Sequence, residues 1–106
     1  MTFALIPGEI FPELVSGKGL GKEDPEALSD IAARHGIEKL IVLGLCNDEL
    51  GYIVPLSDFK LNDELPYIEP LKVTSGENHY EETNSLGPRT AEIIANAFEK
   101  ALEQIK

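Results

Sequence analysis

The chain has 106 residues, 42% of them hydrophobic, with 19 acidic side chains against 9 basic ones and a formal charge of −10. That length suits one small domain with a single core, and the apolar content is that of a folded chain rather than a disordered one. The acidity argues against roles that need clustered lysine and arginine, because the phosphates of DNA and RNA and the surfaces of anionic membranes are both repelled.

Cys46 is the sole cysteine. It forms no internal disulfide, requires no oxidising compartment, and at the end of an apolar run is expected as an inert buried thiol. No basic leader followed by an apolar stretch opens the sequence, and no run reaches membrane-spanning length. A cytoplasmic location is therefore the default expectation.

Residues 3–6 form a short apolar run stopped by Pro7-Gly8, which predicts a buried strand and a turn. Residues 9–15 can then make a turn or two of helix, with Pro12 tolerated only in the first turn. Three glycines in residues 16–22 predict a surface loop; they alternate without the spacing of a phosphate-binding motif, and no strand immediately precedes them. Asp24-Pro25 reads as a helix start, with Asp capping free N–H groups and Pro in the first helical position. Leu28, Ile31, Ala32 and His35 share one face of that helix, and Gly36 stops it.

The run 39–45, centred on Leu40-Ile41-Val42-Leu43, is the strongest strand signal, continuous enough to be buried on both faces. Strand, helix, strand in this order predicts a crossover that sets it parallel to the first strand. Tyr52-Ile53-Val54 reads as a further extended piece ended by Pro55. Residues 56–78 are predicted to be mostly irregular, since their prolines and scattered acids forbid a long helix. Pro88 then opens an amphipathic helix with Ala91, Ile94, Ala95, Phe98, Leu102 and Ile105 on one face. The expected fold is α/β: a small two- or three-layer domain with a short, mainly parallel sheet, two to three helices and a long C-terminal amphipathic helix.

The chemistry-capable residues fall in three loops beside these strands: Pro7-Gly8-Glu9, the stretch from Asn47 and Asp48 to Gly51-Tyr52, and His79-Tyr80-Glu81-Glu82-Thr83-Asn84. Side chains leaving the ends of neighbouring strands converge in space, and ligand sites form there. Taken singly, each has an ordinary reading: Glu9 as a cap or solvated acid, Tyr52 as a core aromatic, Asn47 and Asp48 as turn formers, and His35 as a dipole contact at a helix end. His79 and Tyr80, followed by Glu81 and Glu82, form the densest polar cluster, and a histidine there can ligate a metal or move protons. The spacing of a self-sufficient zinc site is missing, as is a nucleophile elbow.

The segments Ile6-Pro7-Gly8-Glu9-Ile10-Phe11, Leu43-Gly44-Leu45-Cys46-Asn47-Asp48-Glu49-Leu50-Gly51-Tyr52-Ile53-Val54-Pro55 and Tyr80-Glu81-Glu82-Thr83-Asn84-Ser85-Leu86-Gly87-Pro88, in this order, resemble the last part of the catalytic domain of the neutral (non-lysosomal) ceramidase family. The resemblance implies a zinc-dependent amide hydrolase whose metal is held by two histidines, a glutamate and a tyrosine. Glu9 matches the glutamate, Tyr52 the tyrosine, and Tyr80 the tyrosine that contacts the scissile amide. The segment carrying both family histidines has no counterpart here, and neither His35 nor His79 matches one by motif.

The resemblance thus implies a partial domain completed by a partner chain or an N-terminal half. By itself the chain is expected to hold little zinc and to be inactive as an amidase. The alternative is a stand-alone binding module without the chemistry, its exposed apolar surface covered by homo-oligomerisation.

Overall fold

A computed structural model describes residues 1–46, 50–58 and 85–105. Among these, the elements in chain order are β1 (Thr2–Leu5), β2 (Glu9–Ile10), α1 (Pro12–Ser16), α2 (Leu28–Arg34), β3 (Leu40–Leu43), β4 (Tyr52–Ile53), a 3-10 turn (Leu56–Asp58) and α3 (Thr90–Gln104). The architecture is α/β, as the alternation of short apolar runs and helical periodicity predicts.

The strands pair in parallel but as two separate two-stranded sheets rather than one. In the first, Thr2, Phe3, Ala4 and Leu5 lie opposite Leu40, Ile41, Val42 and Leu43. In the second, Glu9 lies opposite Tyr52 and Ile10 opposite Ile53. Pro7-Gly8 separates β1 from β2, so the residues read as a strand followed directly by a helix contain a second short strand first. The helix starts only at Pro12, which occupies its first turn as its ring requires.

The helix ends follow local chemistry. Gly17 closes α1 at φ 85°, its N–H bonding the Glu13 carbonyl at 2.8 Å. At the end of α2, Gly36 takes φ 77°. Its N–H bonds Ala33 O at 3.1 Å while that of Ile37 bonds Ala32 O at 2.9 Å, the paired pattern of a Schellman motif.

Two expected helix starts shift. α2 begins at Leu28 rather than at Asp24-Pro25, because the Asp24 carboxylate is engaged elsewhere: it accepts from the Gly21 N–H at 2.7 Å, the Ser57 N–H at 2.8 Å and the Ser57 hydroxyl at 2.5 Å. α3 begins at Thr90, two residues beyond Pro88.

The core gathers Ala4 and Ile6 with Leu14 of α1, Leu28 and Ile31 of α2, Ile53 of β4, and Ala91, Ala95 and Leu102 of α3. Ile94 and Phe98 pack against it, as their helical spacing predicts, whereas Ile105 lies past the last turn and is 70% exposed. All three described helices therefore contribute to the core on the face of the β1–β3 sheet that carries Ala4. On the opposite face Ile41 is half-buried, and Phe3 is 54%, Leu5 57% and Leu43 44% exposed. This overturns the expectation that β3 is buried on both sides; its residues are half-buried or exposed. No helix among the described residues is long and apolar enough to cross a membrane.

Candidate functional site

The first two polar loops meet through their main chains. Gly8 O accepts from Leu45 N at 3.0 Å, Ile6 O from Cys46 N at 2.9 Å, Pro7 O from Leu50 N at 2.9 Å, and Gly51 O from Glu9 N at 2.9 Å. Such close backbone approach needs glycine. A Cβ on Gly8 would lie 2.6 Å from the Gly51 carbonyl oxygen, and one on Gly44 would lie 3.0 Å from Gly8 O. Gly51 itself takes φ 87°, which turns the chain into β4.

The consequence is that Glu9 and Tyr52, 43 positions apart in sequence, are direct partners in a parallel ladder. Partner residues on adjacent parallel strands send their side chains to the same face, with backbones about 4.8 Å apart. Glu9 is exposed and Tyr52 half-buried. The Tyr52 ring meets Phe11 edge-on, with centroids 6.5 Å apart and planes at 87°, which orients the phenol by packing.

An open groove of about 690 Å³ runs beside Glu9, walled chiefly by Ile10, Pro12, Val15, Val42 and Leu45. Tyr52 is not among its walls. Among the described residues its lining is mostly apolar, with the Ser16 hydroxyl and the Glu9 carboxylate as its polar side chains. Leu45, on its rim, holds φ 55°, a left-handed backbone that a leucine adopts only at a cost. Cys46 is half-exposed rather than buried, and its thiol donates to Leu43 O at 3.3 Å.

Asn47, Asp48, His79, Tyr80 and Glu81 lie outside the described residues. Of the three loops, then, the structure describes the meeting of two. A carboxylate and a phenol on one face can offer two oxygen donors to a cation, or a proton acceptor beside a proton donor. Structural and catalytic zinc sites use three or four protein ligands, and among the described residues no group of three His, Cys, Asp or Glu donors includes Glu9. The pair fits as part of a zinc donor set, not as a whole one.

Sequence reasoning missed a second polar cluster, between α2 and α3. His35 Nε2 lies 3.0 Å from Glu99 Oε1, and the Arg34 guanidinium reaches the same oxygen at 2.9 Å while also holding Glu26 at 2.8 Å. The ring of His35 is 10% exposed, and its Nδ1 is buried without a partner. The hydrogen bond from His35, with that from Arg34, holds the Glu99 carboxyl below its ordinary range. Arg34 in turn is raised by its bonds to Glu26 and Glu99. His35, Glu99 and Glu103 offer donor atoms within 4.8 Å of one another. With a guanidinium already on the shared oxygen, however, the cluster behaves as an ion-pair clasp between the helices. Its only sequence signal is the pairing of Arg34-His35 at one helix end with Glu99 and Glu103 one turn apart on another.

No family model matches this chain, and no curated protein or solved structure does so either.

Proposed function

We propose that this chain is a partial, ceramidase-like amide hydrolase domain that contributes Glu9 and Tyr52 to a zinc site completed by another chain or a further segment. The observation that carries this reading is the register pairing of Glu9 with Tyr52, which puts on one face the two residues that the loop motifs match to metal ligands. When bound, zinc would supply Lewis-acid polarisation and an activated water. Glu9 would serve as its carboxylate ligand and Tyr52 as its phenol ligand, while Tyr80 would contact the amide. The remaining ligands, two histidines in the resemblance, come from outside the described residues.

The test is reconstitution with a chain or segment carrying paired histidines. The isolated protein should hold little zinc, and the completed one should gain both zinc and amide hydrolysis. A Glu9→Ala, Tyr52→Phe double variant that kept full metal content and full activity in the completed protein would end the assignment.

One observation favours a second reading, a non-catalytic module that associates with itself: the exposure of Phe3, Leu5 and Leu43 on one face of the β1–β3 sheet. Sedimentation separates the two. A stable metal-free homodimer supports the module, and a monomer that captures a histidine-bearing partner supports the split hydrolase.

A further inference from the structure

We draw no further inference here: the strongest candidate, the uncovered apolar face of the β1–β3 sheet carried by Phe3, Leu5 and Leu43, is a docking surface for which nothing in the structure shows what covers it.

Discussion

The two faces of the β1–β3 sheet meet different surroundings: Thr2, Ala4, Leu40 and Val42 share one face, and the larger apolar Phe3, Leu5, Ile41 and Leu43 share the other. Ala4 is 5% exposed beneath the helices, while its neighbours Phe3 and Leu5, pointing the other way, are each more than half exposed. Alternation along a strand assigns residues to faces, but whether a face is covered depends on what else the chain supplies. Parallel sheets are ordinarily covered on both sides. Here the described helices all serve one side, while Phe3, Leu5 and Leu43 on the other are exposed.

The sharpest way to break this contrast is a pair of truncations. Leu28→Ala, at a residue 2% exposed, should cost about 2–5 kcal/mol in denaturant unfolding through lost burial and a cavity. Phe3→Ser, at a residue 54% exposed, should stay within about 0.5 kcal/mol. A Phe3 variant that lost as much as the Leu28 one, with a stability that rose with protein concentration, would show the outer face to be buried in an assembly.

Next in size is the loop contact. Gly8→Ala must push the Gly51 carbonyl away from a Cβ 2.6 Å distant, so it should destabilise by about 1–3 kcal/mol. Gly36→Ala, at φ +77° with nothing within 4 Å, should cost about 1 kcal/mol from backbone strain alone. Equal losses at the two sites would mean that the loops are not packed as closely as described.

The Asp24 tie should be smaller and pH-dependent. Partial burial raises its carboxyl, but the hydrogen bonds from Ser57, Gly21 and Leu56 outweigh that and hold it below its ordinary value. A lowered carboxylate contributes stability that is present above its unfolded value and is lost as pH falls through the folded one. Asp24→Asn should therefore cost about 1 kcal/mol at neutral pH, discounted for solvent. The gap from wild type should close in acid, below the normal aspartate range. Glu99→Gln should show the same sign of pH dependence.

The smallest expected effect is a gain. Leu45→Gly, which relieves φ 55° at the price of a more flexible unfolded chain, should stabilise by up to about 1 kcal/mol. Thermal unfolding of the purified variant reads it directly, and a fall in midpoint would mean that Leu45 contributes packing which outweighs its strain.

Much of this fold was legible because its signals are local. The Gly36 stop, the buried face shared by Leu28, Ile31 and Ala32, the α3 stripe and the parallel pairing of β1 with β3 all follow from spacing and chain order. What escaped depends on distant partners. Asp24 looks like a helix cap until Ser57, 33 residues away, takes its carboxylate. The run Leu40-Ile41-Val42-Leu43 looks doubly buried because nothing in it reveals how many strands or helices will flank it. At the site, the nearness of Glu9 and Tyr52 was foreseeable from strand ends and glycines. The α2–α3 clasp was not, since surface-type charges rarely announce a specific mate.

Among the described residues, main-chain hydrogen bonds fasten residues 6–9 to Leu45, Cys46, Leu50 and Gly51, and that bears on how the protein can vary. Exposed side chains such as Leu45 can be exchanged without altering the pairing of positions 9 and 52, provided Gly8, Gly44 and Gly51 stay glycine and Ile6 stays in the core. A designer could therefore install a different pair of reactive groups at those two positions and inherit their alignment unchanged.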